Sequence, residues 1–471
     1  MHECDGKAGD HCGRQHDQAL DQEIHVQCQL AAGSGSGWSG NTLTSLWLSS
    51  RKGASIADAA GLTFRLTVTA ESLPAHVSGY TKGVRLLFTT TRGLGHALPL
   101  LPFARVARDA GHDVLLGGPA SIAAVAAGAG LDHAELAYPD DDALAAARGR
   151  VAELEGIDQV RAAIGDLFVT TYGGPALPST LALVERWRPD VIVHETAEAS
   201  GTIAGEALRV PTVRVSLALA TRDEAWWLRL AAPALDGLRA QFGIPADPEG
   251  ERLARTPLLT RAPAVLDVGD DDPPPDVRRF RHDDDDEEGA PPIERWWPAM
   301  APDAPLVPIS FGTAIPPSRY PGVYRDAIDA VVELPARVLV TVGSDADPAE
   351  LEPLPPNVHV ERWVPIAAVL RAAAALVSHG GTGTTLAALA AGVPMALLPA
   401  LADQSLNARR VADVGAGVVL ESKLSLGEVV RTLLDDERYR RAAQSVAAEM
   451  RALPPVAAAI EQLKVLARAS S

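Results

Sequence analysis

No stretch limits what this chain can fold into more than the one from Val377 to Pro394. A β-prone approach, Ala375-Leu376-Val377, runs into Ser378, His379 and a turn containing Gly380, Gly381 and Gly383. The chain then becomes Leu386-Ala387-Ala388-Leu389-Ala390-Ala391, a strong helix former that Gly392 and Pro394 stop. The pattern predicts a strand, a small-residue turn and a helix N-terminus. Such a turn lets backbone N–H groups approach an anion, because its glycines carry no side chain to block the way. The helix dipole and the hydroxyls of Thr382, Thr384 and Thr385 add donors, and His379 stands at the strand end, where ligands gather in open α/β sheets. A glycine-rich turn alone is commonplace. The histidine, the threonines and the later Asp403-Gln404 pair turn the reading toward a phosphate cradle.

The same alternation recurs on both sides. Val84 to Thr90 reads as a buried strand, Arg92-Gly93-Leu94-Gly95-His96 as a loop, Pro99 to Ala110 as a helix, and Asp113 to Gly117 as a second strand. That is a βαβ unit, and further helices and the strands at Val191 and Thr212 extend it. A second alternating region starts with strand Leu306 to Ser310 and the loop Phe311-Gly312-Thr313. It continues through strands at Arg337 and Val358, the opening stretch and a strand at Met395, and ends in helices from Ser405 onward. The expected fold is α/β, with two doubly wound parallel-sheet domains facing across a cleft.

The expected domains are a low-order N-terminal extension (1–82), a first Rossmann-like half (83–266), an acidic proline-rich linker (267–304), a second Rossmann-like half (305–455) and a C-terminal helix or tail (456–471). Gly33-Ser34-Gly35-Ser36-Gly37 is linker-like, and a natural start near Val84 is one reading of the extension. Asp270 to Pro275 and Asp283 to Glu288 mix carboxylates with proline, the mark of a solvated connection rather than a metal site. The three cysteines, Cys4, Cys12 and Cys28, all precede residue 82 at spacings that match no paired ligand pattern. The main body thus has no disulfide, which suits the cytoplasm. A net charge of −18 argues against a nucleic-acid partner. No apolar run reaches the ~20 residues of a membrane span.

Four loops of the second half would converge on one ligand. Gly312 and Thr313 offer a small residue and a hydroxyl, and Trp363-Val364-Pro365 places a ring where a planar base could stack. The turn of His379, Gly380, Gly381, Thr382, Gly383 and Thr384 faces phosphates, while Asp403 and Gln404 suit sugar hydroxyls. Trp-x-Pro, His-Gly-Gly-x-Gly-Thr-Thr-Leu, Gly-Val-Pro and Asp-Gln-x-x-Asn, in that order, resemble the donor signature of the family 1 (GT-B fold) glycosyltransferases. The texture is similar to that of bacterial enzymes acting on polyketide, macrolide or enediyne natural products. The resemblance covers about residues 84 to 465, and Gly95-His96-Ala97-Leu98-Pro99-Leu100 fits the family's first half.

The resemblance implies that Trp363 stacks on the base and that His379, Gly381, Gly383 and Thr384, with Thr313, hold the diphosphate. It implies that Asp403 and Gln404 grip the hexose and that Asn407 lies near the phosphates. His96 matches the general base, oriented by the acid that ends Val191-Ile192-Val193-His194-Glu195; the family more often has aspartate there. Two departures stand out: Ile366 replaces a glutamine of plant-type members, and Ala387 replaces a glutamate that many members use to bind ribose hydroxyls. A carboxylate of that kind has no purpose when the sugar lacks a 2′-hydroxyl, so a thymidine diphosphate donor is expected over uridine diphosphate.

The expected activity is transfer of a hexose, or a deoxyhexose, from the nucleoside diphosphate to an aglycone hydroxyl. Inversion at the anomeric carbon is expected, with no metal and no cofactor beyond the donor co-substrate. Trp226 and Trp227, in an apolar helical pattern from Leu217 to Phe242, are candidates for the acceptor pocket, with core packing as the plain alternative. No membrane partner is expected, and a homodimer is left open. The alternatives are a GT-B-fold sugar-nucleotide epimerase, or a non-catalytic nucleotide-sugar-binding partner protein. The second has no need of a base.

Overall fold

The computed structural model describes residues 25–27, 67–69, 83–267, 272–282, 296–297, 303–312, 317, 320–343, 346–400, 403–420 and 425–469. The cysteines, the Gly33–Gly37 run, most of the acidic stretch and Thr313 lie outside them. The chain forms two compact units, Met1–Tyr80 and Thr81–Ser471. In the first, strands β1 (His25–Gln27) and β2 (Thr67–Thr69) pair antiparallel, with His25 opposite Thr69.

The second unit holds both α/β halves. Its first sheet comprises β3 (Arg85–Thr89), β4 (Asp113–Gly118), β5 (Asp132–Glu135), β6 (Val191–Glu195), β7 (Thr212–Val215), β8 (Leu258–Thr260) and β9 (Val277–Arg279). The second comprises β10 (Leu306–Ser310), β11 (Arg337–Thr341), β12 (Val358–Glu361), β13 (Leu376–Ser378), β14 (Met395–Leu397) and β15 (Gly417–Val419). All pairings in both sheets are parallel. Apolar side chains on both faces of β6 and β10 leave no residue of either strand exposed, as a sheet covered by helices on both sides requires.

Strand order fixes where a ligand can sit. In the first sheet the chain moves outward from β3 through β4 to β5, then returns to place β6 on the other side of β3. In the second it moves from β10 through β11 to β12 and returns with β13 beside β10. Each reversal opens a crevice at the carboxyl ends of the two central strands. His96 follows β3 and Glu195 ends β6; Gly312 follows β10 and His379 follows β13. Both halves of the expected site therefore fall at topological switch points.

Three elements differ from the sequence expectation. Val277–Arg279 adds the seventh strand from within the stretch expected to be a linker. It is an edge strand held by backbone pairing to β8, so its charged, half-buried residues show no apolar signature. Gly417–Val419 is a strand inside the stretch expected to be helical. The C-terminal helix, Ala459–Ala469, joins the other half: Val456, Ala459, Ile460 and Leu463 are buried in one core with Leu86, Phe103 and Val193.

The helical run Gly156–Trp187 is long and apolar enough to cross a membrane by length and composition. Here Ile164, Val169, Leu177, Leu183 and Val184 are buried in the first half's second core, so packing accounts for its apolarity. Its middle, Ala163–Gly173, is π-helical. The two halves meet through Leu219, Ala262 and Leu266, buried with Leu386, Val411 and Met450, and through the Arg410–Asp223 ion pair.

Candidate active site

His96 lies in the short helix Leu94–Ala97, entered through Gly93 at φ 114°, a conformation that side-chain-bearing residues rarely adopt. Its Nδ1 is 3.0 Å from Oε1 of Glu195. The carboxylate is fully buried and held on every side: Oε1 also accepts from the N–H and hydroxyl of Thr91 at 3.2 and 2.9 Å, and Oε2 accepts from the N–H of Ala197 at 2.5 Å. Burial alone would lower the pKa of His96, but the charge and hydrogen bond of Glu195 outweigh it, and Asp403 adds to them; the imidazole sits above 6.5. Burial pushes Glu195 the other way, and His96 with the donated N–H bonds keeps it ionised below its ordinary range. With Nδ1 committed to Glu195, Nε2 is the nitrogen left for a substrate proton.

The residues around this pair are tightly bonded. His194 is fully buried and pushed down to about 4 by burial, with Arg214 adding to the shift, so it is neutral. Glu198 caps the helix Ala199–Leu208, accepting from the N–H groups of Ser200 and Gly201 at 2.8 and 2.7 Å and from the Thr89 hydroxyl at 2.6 Å. Thr91 and Glu198 are contributors that sequence reasoning did not single out. Their signal is weak, a hydroxyl after one strand and an acid before a helix.

In the second half, His379 is 6% exposed and clasped between two glycines. A Cβ on Gly381 would lie 2.4 Å from its Nε2, and one on Gly312 would lie 2.8 Å from its Cε1. Gly312 and Gly380 also have φ of 66° and 86°. Burial lowers the pKa of His379 below 6.5, against a hydrogen bond to the Ser310 backbone and the charge of Asp403. It is a neutral ring. The helix Thr382–Ala391 follows with no side-chain cap at Gly381, and its first backbone bond runs from Thr385 N–H to the Gly381 carbonyl. The N–H groups of Thr382, Gly383 and Thr384 thus head the helix dipole.

Asp403, Gln404 and Asn407 lie at the start of the helix Gln404–Asp413 and dock on that turn. Asn407 is buried: its Nδ2 donates to the Gly380 carbonyl at 2.9 Å, to Oδ2 of Asp403 at 2.9 Å and to the Thr382 hydroxyl at 3.2 Å. Its amide ties the glycine-rich turn to the next helix. Gln404 accepts the Ala400 N–H at 2.9 Å through Oε1. Trp363 stands 66% exposed on the loop after β12, while Val364 beside it is buried with Trp297. Ala387 is buried among apolar neighbours, so this position of the helix faces the core. Trp226 and Trp227 are half-buried against the first half's core. The ring that meets His96 is that of Phe168, at 5.2 Å between centroids. The charge of Asp403 raises the pKa of both His96 and His379, as the smallest of the contributions to each.

Comparisons with known proteins place the chain in a family. The C-terminal domain family of erythromycin biosynthesis protein CIII-like proteins matches residues 325–466. The elloramycin glycosyltransferase of Streptomyces olivaceus is 31% identical over 389 residues, covering 79% of this chain and 94% of that protein. The L-demethylnoviosyl transferase of Streptomyces niveus is 30% identical over 403 residues, covering 79% of this chain and all of its own length. The crystal structure of the glycosyltransferase SnogD from Streptomyces nogalater superposes with a TM-score of 0.66 at 29% identity, over 82% of this chain and 99% of that one. By sequence and fold alike, the chain belongs to the GT-B glycosyltransferases of the bacterial natural-product type.

Proposed function

We propose that this glycosyltransferase moves a hexose or deoxyhexose from thymidine diphosphate to a hydroxyl of a natural-product aglycone, inverting the anomeric carbon. The observation that carries the reading is the 3.0 Å contact between Nδ1 of His96 and the buried Glu195 carboxylate at the carboxyl ends of β3 and β6, which leaves Nε2 for an acceptor proton.

The acceptor oxygen attacks the anomeric carbon from the face opposite the diphosphate. Its proton passes to Nε2 of His96, and Glu195 stabilises the imidazolium through Nδ1–H. The bond from carbon to diphosphate oxygen breaks, and its electron pair leaves with the nucleotide. The N–H groups of Thr382, Gly383 and Thr384 meet that charge in fixed positions, and His379 braces the turn that carries them. Gly312, Gly380 and Gly381 allow the close approach, and Thr313, outside the described residues, is assigned to the same diphosphate. Asp403 and Gln404 take the hexose, Trp363 stacks on the base with Val364 under it, and Asn407 holds the turn.

Two observations support thymidine. Ala387 faces the core, so the helix offers no carboxylate there for a ribose 2′-hydroxyl. The spinosyn rhamnosyltransferase SpnG, 26% identical with a TM-score of 0.67, was solved with thymidine diphosphate. The same protein was solved with its spinosyn aglycone, which supports a natural-product acceptor. Incubation with thymidine and uridine diphosphate sugars and a panel of aglycones, read by mass spectrometry and by NMR of the anomeric proton, tests the proposal. Uridine diphosphate competing more tightly than thymidine diphosphate overturns the donor assignment; retained anomeric configuration overturns the inversion.

A further inference from the structure

The first half contains an aromatic cluster that the donor chemistry does not use. Ala163–Gly173 winds as a π-helix over 11 residues, where single π turns are the usual form and often mark functional sites. The hydroxyls of Thr170 and Thr171 bond to the carbonyls five residues back, Gly165 at 2.9 Å and Asp166 at 2.6 Å, and so reinforce the wide winding. Gly173 lets the segment lie against the helix Ala199–Leu208, since a Cβ there would stand 2.8 Å from that of Ala199.

The segment delivers Phe168 to the catalytic turn. Its ring centroid is 5.2 Å from that of His96 and 5.5 Å from that of Tyr172, the latter edge-on at 89°. Tyr172 meets Tyr138 at 5.0 Å, and the Tyr138 hydroxyl accepts the N–H of Arg92, just ahead of the His96 helix, at 2.9 Å. The cluster therefore holds the turn from two sides. Tyr172 behind it is buried, but Phe168 is only half-buried, and Leu98, two residues beyond His96, is 48% exposed. Open apolar surface beside a titratable ring is poor design for solvent and good design for an apolar ligand.

We propose that Phe168 is an acceptor-binding residue, a wall on which a planar aromatic alcohol or phenol stacks with its hydroxyl beside Nε2 of His96. The inference deepens the proposed function and rests on His96 as the base. It assigns the acceptor face to Phe168, with Leu98 at its border, in place of Trp226 and Trp227.

The test measures binding of a hydroxyanthraquinone and of a saturated tetracyclic alcohol to the full chain by calorimetry, in the presence of thymidine diphosphate. Phe168→Ala and Phe168→Leu are expected to weaken hydroxyanthraquinone binding about tenfold, while Phe168→Tyr keeps it. In Phe168→Leu the saturated alcohol should change far less, because leucine preserves apolar bulk and removes only the ring. Unchanged hydroxyanthraquinone binding in both variants, equal weakening of the two probes by Phe168→Leu, or no binding to the unaltered chain overturns the inference. Ring-dependent binding without sugar transfer to any acceptor leaves it standing and removes the glycosyl-transfer reading instead.

Discussion

The two strand ends that form the site each present a histidine, and their surroundings push those histidines in opposite directions. His96 is partly open to solvent and bonded to a buried carboxylate, which outweighs burial and raises its pKa. His379 is enclosed between two glycines and bonded to a backbone carbonyl, so burial wins and its pKa falls. The first is suited to taking a proton; the second keeps its charge constant and, with its ring N–H given to the Ser310 carbonyl, fixes the turn it sits in. Residue type does not decide the role; the neighbour on the other ring nitrogen does.

The largest expected break in this comparison is His96→Ala, which should cut turnover by about 10²–10⁴-fold while thymidine diphosphate binding by calorimetry stays near that of the unaltered enzyme. Near-normal turnover would remove His96 from the mechanism. Glu195→Gln comes next, with a loss of about one to two orders of magnitude. The accompanying pH profile sharpens the assignment. Protonated His96 cannot act as base, so kcat/KM falls as pH drops through its pKa. Loss of the carboxylate lowers that pKa, and the acid limb should move to lower pH. A limb that stays in place would show that Glu195 does not set the imidazole's basicity.

Gly381→Ala probes the other half. Its Cβ would collide with His379, and an overpacking cost of ~1–3 kcal/mol predicts roughly 5- to 150-fold weaker diphosphate binding with the acid limb of the pH profile unmoved. The smallest effect is expected from Arg410→Ala. Arg410 bonds Asp223 at 2.5 Å and the Leu266 carbonyl at 3.1 Å, joining the donor helix to the first half. Its loss should lower the unfolding free energy by about 1–3 kcal/mol, read by denaturant titration. An unchanged midpoint would show that the Arg410 contacts do not hold the halves together.

Much of this was legible in the sequence because it is local. A strand followed by Gly-rich turn and helix needs only the residues from Ala375 to Pro394, and the fold reproduces it as Leu376–Ser378 and Thr382–Ala391. The His96–Glu195 contact was accessible too, since each residue follows or ends a strand of one parallel sheet. Asn407 shows the limit. The resemblance implied that it lies near the phosphates; only the fold shows that its Nδ2 donates to the Gly380 carbonyl and the Thr382 hydroxyl, while its buried Oδ1 has no partner among the described residues.

The sequence by itself determined the two alternating halves, the glycine-rich turn between strand and helix and the residues at the strand ends, because hydrophobic period and glycine placement act over a few residues. Tertiary structure alone decided that helix Ala459–Ala469 crosses to the first core, that Val277–Arg279 extends the first sheet at its edge, and that the ring of Phe168 packs on that of His96. An apolar face records that it must be buried, not against what. That choice is made by which surfaces of distant segments fit one another once the sheets have formed.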